Sequence, residues 1–167
     1  MDAGLEAPAC TDHMLRWEDI EHEFEWDGSP RLLVALDVGL PGWRVLCGLA
    51  QPSGTFRAQA RKQELPADIE EVFRLPNAAA PELRLHTGGV ELVARFGSVE
   101  HVELELDGCE VAGQHDLDDL LEFMRELGRA LRASVELVRR DKTWLPILRY
   151  DVVADEFRPL TFTPIAG

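Results

Sequence analysis

The stretch from Leu83 to Asp107 constrains this chain most, because it alternates apolar and polar residues over three successive passes with a turn after each of the first two. Leu83 and Leu85 alternate with Arg84 and His86, and Gly88-Gly89 then supplies a tight turn. Val90, Leu92, Ala94 and Phe96 line one side of the return pass, Gly97-Ser98 turns again, and Val102, Leu104 and Leu106 line the third pass. A period of two sends successive side chains to opposite faces, so the segment predicts an antiparallel meander with one buried and one solvated face. The solvated face of the last strand would carry His101, Glu103, Glu105 and Asp107, mostly a row of like charges that favours water or a cationic partner.

A sheet of this kind needs an apolar cover, and the span from Asp116 to Arg132 provides one. Leu117, Leu120, Leu121, Met124, Leu127 and Leu131 recur at helical spacing and form a continuous stripe. Asp116, Asp118 and Asp119 stand near the positive end of this helix, with Arg129 and Arg132 near its negative end. Pro41 and Pro66 open two shorter helices, one with Trp43, Leu46 and Leu49 on a face, the other with Ile69, Val72 and Phe73.

Further strands follow from local pattern. Ile20, His22, Phe24 and Trp26 alternate with Glu21, Glu23 and Glu25, which predicts a strand with an acidic outer row. Asp27-Gly28-Ser29-Pro30 is turn chemistry, and Arg31 to Val38 is rich in Leu and Val, so the two segments predict a hairpin, with Trp17 on a short lead-in helix. Thr55 to Arg61 is a modest strand; Val135 to Val138 and Ile147 to Val153 close the pattern on either side of the basic turn Arg139-Arg140-Asp141-Lys142. Pro159 and Pro164 mark an irregular end. The order ββ, α, β, α, βββ, α, ββ predicts an α+β fold, an antiparallel or mixed sheet of about seven to eight strands with three helices mainly on one face.

At 167 residues the chain suits one domain, taken as residues 14–167 behind a flexible tail of residues 1–13. The longest aliphatic run, Leu32 to Leu36, falls far short of the roughly 20 apolar residues of a membrane span. Met1 to Asp12 has neither Lys or Arg nor an apolar stretch of the secretory type, so a cytoplasmic protein is expected. Charge is the strongest compositional signal: 17 Lys and Arg against 31 Asp and Glu leave −14. The surplus is uneven, with nine acids against one Arg in residues 1–30 and ten against one in residues 99–126. Such a surface repels nucleic-acid phosphate and anionic lipid and attracts basic partners.

Chemistry-bearing motifs are sparse. His13, His22, His86, His101 and His115 form no HxH, HExxH or HxxxH pair, and Cys10, Cys47 and Cys109 form no CxxC, so neither a metal nor a cofactor is expected. Cys47 and Cys109 read as small buried hydrophobes and Cys10 as a tail thiol. Ser29, Ser53, Ser98 and Ser134 lie in no GxSxG motif, and His86-Thr87-Gly88-Gly89 lacks the Lys-Ser/Thr of a phosphate loop. Trp26 and Trp144, beside turns, are candidate interface anchors.

Three segments resemble ones shared among small uncharacterised bacterial single-domain proteins. They are Trp17 to Ile20 with Phe24 to Ser29, Leu120 to Gly128, and Pro146 to Asp151. In size and charge the chain is similar, more loosely, to immunity proteins of bacterial toxin systems, a likeness of profile that assigns no residue a role. The expectation is a non-enzymatic domain that binds a basic protein partner through Glu21, Glu23, Glu25, Trp26, Glu103, Glu105 and Asp107. The alternative is a small-molecule-binding or hydrolytic domain whose pocket, between sheet and helices, is lined by Trp26, His22 or His86.

Overall fold

The computed structural model describes residues 15–25, 27–51, 54–58, 61–76, 81–140 and 144–160, and the side chain of Trp144 is outside that description. The expected meander is present as β4 (Glu82–Thr87), β5 (Val90–Arg95) and β6 (Val102–Leu106). Leu83 lies opposite Ala94, and Ala94 opposite Leu104, so the apolar rows coincide across the strands. The long helix, α4 (Gln114–Leu131), lays its stripe over this face, with Leu117, Leu120, Met124 and Leu127 at most 1% exposed. Before it, α2 (Gly39–Ala50) and α3 (Ile69–Arg74) complete the cover. Trp43 of α2 is fully buried, stacks on Phe96 at 4.7 Å and meets Phe73 of α3 edge-on at 5.3 Å. Its indole N–H donates to the Ser98 carbonyl at 2.9 Å, which satisfies the polar tip inside the core.

The described strands form one sheet of nine, larger than the seven to eight expected, and every neighbouring pair is antiparallel. With β1 as Arg31–Ala35, β2 as Thr55–Ala58, β3 as Arg61–Gln63, β7 as Val135–Arg140, β8 as Trp144–Asp151 and β9 as Glu156–Pro159, the order is β3-β2-β4-β5-β6-β1-β7-β8-β9. The segment expected to be one strand from Thr55 to Arg61 is thus divided between β2 and β3, which pair with each other. The end expected to be irregular contains β9, and its Pro159 sits on an edge strand, where a missing N–H costs no ladder bond. The edge strand β3, Arg-Lys-Gln, is exposed and charged, a composition that discourages pairing with another sheet.

The largest correction concerns the N-terminal hairpin. Residues 20–25 are not a strand: α1 (Trp17–Ile20) runs into a 3-10 turn over Glu21–Phe24. Trp17, Ile20 and Phe24 are spaced by three and four, and that helical stripe, rather than the alternating glutamates, is what the core accepts. Trp17 and Phe24 stack with ring centres 5.7 Å apart. Strand β1 therefore has no hairpin partner before it. It is inserted at the centre of the sheet, between β6 and β7, with Leu33 opposite both Leu104 and Leu137. All five residues of β1 are buried. Leu33 and Ala35 belong to the main core, while Leu32 and Val34 join Val138 in a second cluster on the other face. An unbroken apolar run is what a strand covered on both faces requires.

The far end of the sheet is anchored on α4. Tyr150 of β8 is fully buried, and its hydroxyl donates to Asp155, which Arg129 of α4 also grips through three bonds of 2.7, 2.9 and 3.2 Å to its two oxygens. The Tyr150 ring lies against Gly128, where a Cβ would stand only 2.6 Å from the ring. Replacing Gly128 with Leu should therefore force the ring out of place and destabilise the protein by about 2–3 kcal/mol in urea unfolding, despite the better helix propensity of Leu.

Candidate functional site

One buried charge organises the end of the sheet where the chain's acidic segments lie. Arg31, the first residue of β1, is 1% exposed. Its Nε donates to the Glu23 carbonyl at 2.6 Å, and its two terminal nitrogens reach the carbonyls of Ser29 at 2.9 Å and Glu25 at 3.2 Å. The carboxylate of Asp27 receives the same guanidinium at 3.2 Å. Asp27 also accepts from the Ser29 hydroxyl and backbone N–H, and these bonds, with Arg31 behind them, hold its carboxyl far below the usual range. Glu23, Glu25, Asp27 and Ser29 thus all turn toward one cation.

The segment that precedes these residues, at Leu15 and Trp17, docks on the beginning of α4. The Trp17 N–H donates to Gln114 Oε1 at 2.7 Å, and Gln114 Nε2 donates back to the Leu15 carbonyl at 3.0 Å and to Asp118 at 2.8 Å. Next to it, a 3-10 turn over Gly108–Glu110 is capped by Asp107, which accepts from the Cys109 N–H at 2.9 Å. A Cβ on Gly108 would stand 3.1 Å from the Phe24 carbonyl, so glycine permits the two turns to touch. These contacts bring the acidic parts of residues 15–25 and 107–118 together. Glu18, Asp19, Glu21, Glu25, Asp107 and Glu110 are all exposed there, and none has an ion pair among the described residues. The nearest arginines of the sheet are already engaged: Arg31 by Asp27, and Arg139 by Glu23 at 2.6 Å. Arg16, next to the group in sequence, is exposed and has no ion pair among the described residues.

The expected partner-binding residues divide accordingly. Glu21, Glu25 and Asp107 belong to this acidic end. Glu23 does not: it is 8% exposed, because the helical turn carries it inward to Arg139 and His22, so the predicted acidic row of Glu21, Glu23 and Glu25 does not exist. Trp26 lies outside the described residues. Glu103 and Glu105 are on the sheet face away from the helices, opposite Val34 and Leu32 in register, and Glu105 is tied to Arg95 at 2.6 Å. Sequence reasoning did not single out Glu18, Asp19 or Glu110. The available signal was the Trp17, Ile20, Phe24 spacing, which as a helix leaves Glu18 and Asp19 facing outward.

Two small cavities are also present among the described residues. One, of about 210 Å³, lies between α2, β4 and α4 with His86 in its wall; the other, of about 330 Å³, lies beside Cys47, Phe56 and Leu83. The first is below, and the second near the lower limit of, the roughly 300–1,000 Å³ typical of small-molecule pockets. His22 reaches neither and stands 3.1 Å from Glu23. Burial pushes the Cys47 thiol up to about 11. Cys109 is exposed rather than buried as expected, and partial desolvation with the Asp107 carboxylate beside it raises its thiol too. Both shifts oppose thiolate formation, which a reactive cysteine needs. Among the described residues no group of three or more His, Cys, Asp or Glu is placed to hold a metal ion, and no helix is long and apolar enough to cross a membrane. Comparison with protein-family models, curated proteins and solved structures gave no match to this chain.

Two outcomes follow for the Arg31 cluster. Replacing Arg31 with Leu should cost about 3–5 kcal/mol in chemical denaturation, since it leaves the Glu23, Glu25 and Ser29 carbonyls without their donor. Because Asp27 stays charged in the folded state below the pH at which the unfolded chain takes up its proton, its contribution is complete above the ordinary carboxylate range. It is lost as the pH falls through and below that range. Asp27→Asn should flatten this acid limb of the stability profile, measured as denaturation midpoint against pH.

Proposed function

We propose that this chain is a non-enzymatic, cytoplasmic binding domain, immunity-like in profile, that recognises a basic protein partner through the acidic end of its sheet. The observation that carries the reading is the docking of residues 15–25 on residues 107–118, which gathers exposed carboxylates, without an ion pair among the described residues, from two distant parts of the chain. Their repulsion is tolerable in water and is relieved by a cationic surface. The platform under them is stiff, because Arg31 and Gln114 fix its backbone from both sides. Preformed charge of one sign accelerates encounter with a partner of the other sign and discriminates against acidic proteins. Asp107 therefore belongs with Glu21 and Glu25 in the recognition surface, and Glu103 extends it along the outer face of β6.

Immobilised protein incubated with lysate of its native organism at low salt should retain a basic protein that elutes as salt is raised. Changing Glu18, Asp19, Glu21 and Glu25 to their amides should slow association with that partner about tenfold or more at low ionic strength while leaving the fold intact. Retention of an acidic or neutral partner, or an affinity indifferent to salt, would overturn the reading.

A further inference from the structure

We propose that the groove between α4, β4 and the end of α2 is a socket for one basic side chain, lysine or arginine, of that partner. The inference rests on the reading of the domain as a binder of basic protein, and adds to it a specific anchoring point. The floor of the groove is apolar, built from Leu49 and Ala50 of α2, Leu85 of β4 and Phe123 of α4. Its rim is acidic: Asp119, Glu122 and Glu126 follow one another on α4 at intervals of three and four, so they form one row along the opening. An aliphatic stem over an apolar floor with a charged head among carboxylates is the arrangement long basic side chains favour.

Size and charge narrow the occupant. A space of about 210 Å³ admits a side chain and is smaller than an ordinary ligand pocket. The rim is only partly neutralised from within. Among the described residues Glu126 has no ion pair, and Glu122, whose side chain is 70% exposed, is paired with Arg125 at 3.7 Å. Among the described residues Asp119 is paired with His115 at 3.6 Å, and His86 in the wall lies by Glu91 at 3.5 Å. The C-terminal turn of α2, which supplies Leu49 and Ala50, adds the partial negative charge of a helix end. Position is held by the Thr87 hydroxyl, which donates to the Asp119 carbonyl at 2.9 Å and fixes β4 against α4. An acidic or purely apolar side chain would find repulsion or unsatisfied carboxylates here.

The test is a titration of the isotope-labelled full chain, followed by amide chemical shifts, with acetyl-Ala-Arg-Ala-amide at low salt. The norleucine and glutamate analogues of the peptide serve as controls. Saturable shifts at Leu49, Ala50, Leu85 and Phe123 with the arginine peptide alone are expected. The double variant Glu122→Gln and Glu126→Gln, which alters only exposed side chains, should weaken that binding by about fivefold. Equal shifts with norleucine would overturn the socket in favour of a plain apolar groove. Shifts confined to residues 18–25 and 107–110 would also overturn it, while leaving the acidic end as a binding surface. No response to any peptide would overturn it as well, and the salt elution of the native partner then decides the broader reading by itself.

Discussion

The guanidinium of Arg31 sits beneath Glu23, Glu25, Asp27 and Ser29, at the end of a 3-10 turn and beyond it, and their present arrangement exists because that charge is buried. Removing a cation from water costs several kcal/mol unless its donors are matched. Here they are matched by carbonyls of Glu23, Glu25 and Ser29 and by the Asp27 carboxylate, all from the eight residues that precede it. Meeting that requirement brings Glu23, Glu25, Asp27 and Ser29 back over the start of β1. The bend turns Phe24 into the core and presents Glu21 and Glu25 to solvent, so the recognition surface is a by-product of satisfying one buried charge.

The position of β1 multiplies this effect. A strand at the centre of a nine-stranded sheet, paired on both sides and covered on both faces, cannot shift its register without moving β6 and β7. Arg31 is paired with Leu106 on one side and Arg139 on the other. The cation that shapes this arrangement is therefore fixed to the two elements that lead into the Asp107 turn and that bring Arg139 under Glu23. At the other end of α4, Arg129, Asp155 and Tyr150 anchor the last hairpin in a similar way, with a cation, a carboxylate and a buried ring. Polar clusters at the two ends thus hold a sheet whose middle is held by Leu, Val and aromatic packing.

Legibility in the sequence followed the strength of local pattern. The meander from Leu83 to Leu106 and the stripe from Leu117 to Leu131 are long, periodic and bounded by turn or capping residues, so each states its own structure. Residues 17–26 satisfy two patterns at once: period two through the glutamates, and spacings of three and four through Trp17, Ile20 and Phe24. Only the presence of a core to receive the second stripe decides between them. β9 was illegible because four residues with a terminal proline carry no periodic signal, and they become a strand by pairing with β8. Of the site, the acidity was visible in full, while the burial of Glu23 and the recruitment of Glu18, Asp19 and Glu110 were not.

The sequence by itself determined an α+β composition, the apolar faces that must be joined, and an acidic surplus concentrated in two segments far apart in the chain. Those follow from side-chain periodicity and charge, which are local properties. Tertiary structure alone decided that β1 would enter the middle of the sheet, that residues 20–24 would coil rather than extend, and that the two acidic segments would meet. Each of these depends on contacts between residues widely separated in sequence, such as Trp17 with Gln114 and Arg139 with Glu23, whose energies exist only once the chain has closed on itself.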